Sequence, residues 1–263
     1  MCAESFDPSA DASASTPDDR QERFARAIAL IDGALDWELL AELHGASPEE
    51  DFFAESQRDA MVETGLQFAS DLASRLPAGG RSLYIGAAVA EFVPMLLEQL
   101  VLEREVHWLT LEGEETREYR RVLQEVAGEL SLELFAPSTA GLAELPKEQT
   151  FDHLWLVSVW TDPSCFPGLH DQLYERSGTA ESADPAGLAD VEQERKRAID
   201  SSREALARLE SASGTSLVTS TDEEWPLLLE AGREIALAFE LESRARLSGL
   251  VGDAVRFGTL HRA

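Results

Sequence analysis

Two short stretches of this sequence place residues that could bind a small molecule directly after apolar runs. The first run, 83–85, ends at Gly86, and a helical pattern begins within a few residues. The second run, 106–111, follows that helix and ends at Glu112. Strand, tight turn, helix and strand together form a βαβ unit whose crossover should be right-handed. We therefore expect the turn at Gly86 and the acidic tip at Glu112 to face the same crevice.

Further apolar runs continue the alternation of strands and helices. The run 151–160 is nearly continuous, which is typical of a central parallel strand covered on both faces. Shorter runs at 131–135 and 216–220 predict two more strands. The last two runs, 235–241 and 247–260, are joined by a short turn and must pair antiparallel. The pattern predicts an α/β fold: a doubly wound, Rossmann-like, seven-stranded and mostly parallel sheet with a C-terminal antiparallel hairpin.

The remaining segments define the domain organisation. Residues 1–20 are rich in Ser, Ala, Asp and Pro and predict a disordered acidic tail. Residues 21–78 predict an N-terminal helical extension of two helices: the first covers 21–44 with a possible break near Gly33, and the second begins at a capping box at 47–50. The α/β domain then covers 79–263. A helical insertion at about 163–212 is expected near the crevice, where it could select a substrate.

The charge of the chain excludes some classes of partner. There are 50 acidic and 22 basic residues, a formal net charge of −28, and only Lys147 and Lys196 are lysines. Such a surface repels phosphate backbones and anionic lipid head groups, so nucleic acid and membranes are not expected partners. Cationic or neutral partners are favoured, and the sequence leaves open whether the substrate is a small molecule or a protein.

The sequence also predicts a cytoplasmic protein without a metal. Cys2 and Cys165 are the only cysteines, which does not suggest a disulfide framework, and no apolar run has the length of a membrane span. The five histidines lack the spacing of metal ligands. Of these, His107 and His153 lie in apolar strands and are expected to be satisfied core residues. Neither a signal peptide nor a P-loop motif is found.

The order of elements, with the hairpin last, resembles the class I S-adenosylmethionine-dependent methyltransferase fold over about residues 81–260. In that family the first strand ends in an acidic residue followed by a glycine-rich loop. The matching segment here is Tyr84-Ile85-Gly86-Ala87-Ala88-Val89-Ala90, in which only Gly86 is retained. The resemblance implies that Gly86 and Ala88 lie under the methionine end of S-adenosylmethionine. It further implies that Glu91 partly compensates for the acidic residue that Tyr84 replaces.

The ends of the next strands complete the resemblance. Glu112, with Glu114 as a substitute, stands where the family has a carboxylate that binds the ribose hydroxyls, and its two oxygens could accept both hydrogens. Ser138 stands near the expected adenine position. Asp162 and Trp160, after the fourth strand, are the weak catalytic candidates. The alternative interpretation of Asp162 is a turn residue before Pro163.

Several functions stay open at this point. The chain could be a divergent methyltransferase, a non-catalytic relative that keeps the fold as a binding or regulatory module, or another doubly wound enzyme such as a nicotinamide dehydrogenase. Cys165 and His170, five residues apart, could be a nucleophile and its base, although an inert cysteine is the simpler interpretation. An open crevice at Gly86 and Glu112 would favour binding. A crevice filled by Tyr84 or Met95 would favour the non-catalytic relative.

Overall fold

A computed structural model describes residues 16–44, 53–174, 185–210, 216–250 and 252–262. The helices are α1 (Pro17–Ala34), α2 (Trp37–Leu43), α3 (Glu55–Arg75), α4 (Phe92–Leu96), α5 (Glu114–Leu130), α6 (Pro167–Leu173), α7 (Pro185–Ala207) and α8 (Trp225–Glu234). The strands are β1 (Arg81–Ile85), β2 (Glu105–Leu109), β3 (Pro137–Ser138), β4 (His153–Leu156), β5 (Ser216–Thr221), β6 (Leu237–Leu241), β7 (Arg246–Leu247) and β8 (Ala254–Arg262). A 3₁₀ turn (Val89–Glu91) precedes α4, and a π-helical turn (Leu97–Val101) follows it.

The strands form one twisted sheet in the order β3-β2-β1-β4-β5-β8-β6, with β7 paired to β8. The first five are parallel, and β8 lies antiparallel between β5 and β6. The sheet is mostly parallel with a reversed strand from the C-terminal hairpin, as predicted. It has eight strands where seven were predicted, because the short strand β7 also pairs with β8. The chain therefore has a class I methyltransferase-like fold. The order of strands reverses between β1 and β4. The connections that leave these two strands run in opposite directions along the sheet, so the carboxyl edge between them is left uncovered.

Helices cover both faces of the sheet, so the fold is doubly wound as predicted. One hydrophobic core joins α1–α5 to one face, and its largest fully buried side chains include Tyr84, Trp108 and Trp155. The second core joins α6–α8 to the opposite face around Leu154 and Leu228. The N-terminal helices share the first core with the sheet. They cover the α4 and α5 face, and α3 approaches α4 closely.

The start of α1 corrects the predicted boundary of the tail. Thr16 caps the helix through the amide of Asp19, Asp19 bonds back to the amide of Thr16, and Pro17 occupies the first turn. These residues form a capping box with proline at the helix start. Residues 17–20 are therefore helical and were wrongly assigned to the tail. The rest of that prediction, and the capping box at 47–50, lie outside the described residues.

The third strand also differs from the prediction. Residues 131–135 were predicted as a strand, but Ser131 is the left-handed C-cap of α5, with φ 53°, and the strand is Pro137–Ser138. Pro137 lacks an amide hydrogen, yet its position on an edge strand removes the need for one. The apolar side chain of Phe135 instead enters the core beside Trp108.

A polar cluster is buried where β1 meets β4, and we call it the Glu98 cluster. Glu98 accepts hydrogen bonds from the hydroxyls of Ser82 and Tyr84, the latter at 2.5 Å. Its carboxylate also pairs with Arg104 at 3.0 Å and with His153 at 2.8 Å. All five side chains are buried. The π-helical turn places Glu98 in this position, and the cluster confirms His153 as a satisfied core histidine.

No helix among the described residues has both the length and the apolar character needed to cross a membrane.

Candidate functional site

The carboxyl ends of four neighbouring strands lie at one level. Ile85 of β1 is paired with Leu109 of β2 and with Leu156 of β4, and Leu109 is paired with Ser138. The residues that follow these positions therefore project from the same edge of the sheet. This edge includes the point between β1 and β4 where the strand order reverses, which is the usual ligand site of open α/β sheets.

The turn after β1 is tight, as the sequence predicts. Gly86 has φ +67°, and its amide donates to the Leu109 carbonyl at 2.8 Å. The residue is exposed, but a Cβ there would lie 2.9 Å from Cγ2 of Val159. Glycine is thus required both by the backbone conformation and by this close approach.

Glu112 lies beyond the end of β2, at the same edge of the sheet as Gly86. Its side chain is 52% exposed and pairs with Arg120 of α5 at 3.0 Å. Arg117 approaches the same carboxylate at 3.9 Å. The neighbouring Leu111 is 69% exposed, which is the highest exposure among the exposed large apolar side chains of the described residues. We call Gly86, Leu111 and Glu112 the crevice.

Tyr84 and Met95 do not fill the crevice. Both are fully buried, and the Tyr84 ring stacks on Trp155 with 5.4 Å between ring centroids. Its hydroxyl donates to Glu98 in the core. Both side chains therefore belong to the hydrophobic core, and Gly86 and Glu112 stay exposed at the edge of the sheet.

The loop after Gly86 uses some of its own amides. The Ala88 amide donates to Glu91 Oε2 at 2.8 Å, and the Val89 amide donates to the Tyr119 hydroxyl at 3.1 Å. Burial raises the pKa of Glu91 to about 7. Glu91 thus lies beneath the loop as an internal cap, and Ala88 is half-buried.

The other predicted site residues have mainly structural contacts. Ser138 is half-buried, and its hydroxyl accepts from the Ala140 amide at 3.3 Å. The Trp160 ring is buried against Phe166, with 5.5 Å between ring centroids, so it does not form a platform in the crevice. Asp162 Oδ1 accepts a hydrogen bond from the Ser164 amide at 2.7 Å. This contact favours the interpretation of Asp162 as a turn residue over that of a catalytic residue.

The cysteine and histidine pair does not have the features of an activated nucleophile. Burial and Asp162 raise the pKa of the Cys165 thiol, which disfavours the reactive thiolate. The ring of His170 contacts the Thr161 carbonyl through Nδ1 at 2.5 Å. These contacts favour the interpretation of Cys165 as an inert residue.

Sequence reasoning missed a polar group on the β4 side of the edge. Ser158, which has φ +57°, and Tyr174 both donate to Asp253 Oδ2, at 2.9 and 2.6 Å. We call these three residues the Asp253 cluster. They are 16 and 79 residues apart in the chain, with no spacing that marks them as partners.

Glu224 holds the backbone beside that cluster. It is fully buried at the end of β5 and accepts the amides of Ser158 and Trp160, at 3.1 and 2.6 Å. Ser220 donates to the same carboxylate at 3.0 Å. Burial nevertheless raises the pKa of Glu224 to about 7, above its ordinary value. The run of three acids before Trp225 is the one sequence signal that could have singled it out.

The donor set of the crevice matches one half of S-adenosylmethionine better than the other. An exposed carboxylate beside an exposed apolar side chain suits a nucleoside, since Glu112 can accept from a cis-diol and Leu111 can pack on a base. At the methionine end, two loop amides are already bonded to Glu91 and Tyr119. The residues present therefore fit the adenosine portion.

Comparisons with known proteins add little at the level of sequence. No family model matches this chain, and no curated protein is similar to it. Three solved structures show a distant likeness to this chain. PH0851 is 13% identical with a TM-score of 0.46, and the match covers 75% of this chain and 45% of PH0851. Precorrin-6y C5,15-methyltransferase from Geobacter metallireducens is 14% identical with a TM-score of 0.42, covering 76% and 87% of the two chains.

The third is M. jannaschii TYW2, whose structure was solved in complex with AdoMet. It is 10% identical with a TM-score of 0.43, and the match covers 76% of this chain and 77% of TYW2. This chain thus spans less than half of PH0851 and larger shares of the other two. The assignment of the fold rests on the strand order described above.

Proposed function

We propose that this chain is a divergent, S-adenosylmethionine-dependent methyltransferase-like protein that binds the cofactor in the crevice. The observation that carries the proposal is the juxtaposition of an exposed Gly86 turn and an exposed Glu112 carboxylate beside the switch point of the sheet.

The residues of the crevice have distinct tasks in this proposal. Glu112 accepts hydrogen bonds from the two ribose hydroxyls, and Arg120 fixes the orientation of its carboxylate. Leu111 covers one face of the adenine ring, which removes its apolar side chain from water. Gly86 supplies the left-handed turn that leads the chain out of β1 at the edge of the crevice. When bound, S-adenosylmethionine supplies an electrophilic methyl group, and the protein contributes mainly alignment.

A non-catalytic binding module is the second candidate, and one specific observation favours it. The Ala88 and Val89 amides are bonded to Glu91 and Tyr119, so these two loop donors are already used. A protein with this loop could keep a nucleoside site without holding the methionine end in a reactive position.

The ribose contact can be tested by comparing adenosine with 2′-deoxyadenosine in titration calorimetry. We expect wild type to bind adenosine at least tenfold more tightly, a difference of about 1.4 kcal/mol, because the deoxy ligand donates one hydrogen bond fewer to the carboxylate. Glu112→Ala should remove the preference. Glu129→Ala is the control: its carboxylate is 51% exposed, about as exposed as that of Glu112, and pairs with Arg26, but it lies at the other end of α5. Equal preferences in wild type and Glu112→Ala would overturn the assignment of Glu112.

The two candidates differ in what the methionine end adds. A working methyltransferase should bind S-adenosylhomocysteine at least tenfold more tightly than 5′-methylthioadenosine, which lacks the amino-acid portion. Equal affinities would favour the binding module, because the loop would then make no contact with that portion.

A further inference from the structure

The Asp253 cluster lies immediately beside the crevice. Ser158 precedes Val159, and Val159 Cγ2 lies 2.9 Å from the position of a Cβ on Gly86. The cluster and the turn after β1 therefore flank the switch point from opposite sides. A molecule held by the cluster would be adjacent to one held by the crevice.

The cluster is built from three separate elements. Ser158 follows β4, Tyr174 follows α6, and Asp253 precedes β8. The two hydroxyls bond to the same carboxylate oxygen, Oδ2. Among the described residues, no hydrogen bond is made to Oδ1. All three side chains are half-buried, so the cluster is reachable from solvent.

The electrostatic surroundings favour a cation. Burial and Asp253 raise the pKa of Glu223, and burial and Asp253 also raise the pKa of Tyr174. Burial is the larger cause of both pKa shifts, and the smaller contribution from Asp253 has the sign of a negative charge at this edge. Arg256, the nearby cation, is bonded to Asp222 and to the carbonyl of Ser243. A positively charged ligand would therefore lower the free energy of this edge more than a neutral one of the same shape.

We propose that Asp253, with Ser158 and Tyr174, binds a small primary amine as the methyl acceptor. The methyl transfer rests on the proposed function, whereas the binding of the amine does not. The ammonium group donates to Asp253 Oδ1. It then passes one proton to that carboxylate, and the nitrogen lone pair forms the new N–CH₃ bond. The S–CH₃ bond breaks with its electron pair staying on sulfur, so the sulfonium becomes a neutral thioether and the amine leaves as a secondary ammonium.

The test is calorimetric binding of benzylamine and of its neutral analogue, benzyl alcohol, at about 0.3 M salt to screen the general attraction of an acidic protein for cations. We expect wild type to bind benzylamine at least tenfold more tightly than benzyl alcohol. Asp253→Asn should weaken benzylamine binding at least tenfold. Glu240→Gln makes the same change of carboxylate to amide on an 82% exposed side chain and should leave the affinity unchanged.

The outcomes separate this inference from the proposed function. Equal binding of the two probes by wild type, or equal benzylamine binding by wild type and Asp253→Asn, would overturn the amine site. The first comparison needs no variant, so it holds even if Asp253→Asn does not fold. S-adenosylhomocysteine, titrated into the same samples, should bind wild type and Asp253→Asn equally. Amine binding without any S-adenosylhomocysteine binding would support the amine site and refute the cofactor site.

Discussion

Replacement of Glu98 by glutamine should destabilise the protein strongly. The carboxylate is fully buried and is the common partner of Arg104 and His153. Burial alone would raise the pKa of Glu98, but His153 and Arg104 outweigh it and lower that pKa to about 2. The carboxylate is thus held in its charged form. Glutamine keeps the shape but leaves the buried guanidinium without one of its two anionic partners.

The expected magnitude follows from the burial of the pair. Removing one partner of a buried ion pair costs about 3–5 kcal/mol, because the other charge stays in the core. For a chain of this size, that loss should lower the melting temperature by roughly 6–20 °C. Urea unfolding followed by tryptophan fluorescence measures the change directly, since Trp155 stacks on Tyr84 beside the cluster.

A matched control separates this effect from a general loss of charge. Glu105→Gln makes the same substitution at a 60% exposed carboxylate that pairs with His107, and it should cost at most about 0.5 kcal/mol. A loss below about 1 kcal/mol for Glu98→Gln would refute the argument that the buried cluster holds β1, β4 and the π-helical turn together.

Two further predictions concern the loop and the helices. The pKa of Glu91 is raised to about 7, so its contribution to stability is complete below pH 4.5 and is lost as pH rises through 7. Between pH 5 and pH 8, the free energy of unfolding of Glu91→Gln should therefore rise by about 2.5 kcal/mol relative to that of wild type, as measured by urea unfolding. Parallel pH profiles of the two proteins would contradict this. Gly65→Ala should destabilise the protein, because the new Cβ would lie 2.7 Å from Val93 Cβ. Gly33→Ala should stabilise the protein by about 0.4–1 kcal/mol, since nothing lies within 4 Å of its new methyl group. Thermal melts of the two alanine variants should shift in opposite directions, and a shift in the same direction would refute the packing argument.

The sequence was sufficient to predict the architecture because the relevant signals are local. The continuous apolar run at β4, the turn at Gly86 and the alternation near the C-terminus each follow from side chains that are close together in the chain. The third strand was predicted in the wrong place for the opposite reason. Whether Phe135 belongs to a strand or to a loop depends on Trp108, which is distant in sequence.

The candidate site was only partly predictable. Gly86 and Glu112 lie at strand ends that the pattern predicts, so their shared edge could be anticipated. The direction of Glu91 and the burial of Trp160 depend on packing around the loop and around Phe166. The Asp253 cluster combines residues from three elements, and its members meet only after the sheet is assembled.

Titration calorimetry of the wild-type protein with S-adenosylhomocysteine tests the central claim most directly. We expect a micromolar dissociation constant, with one site per chain, and a rise in melting temperature at saturating ligand. No detectable heat and no thermal stabilisation at millimolar ligand would contradict a cofactor site in the crevice.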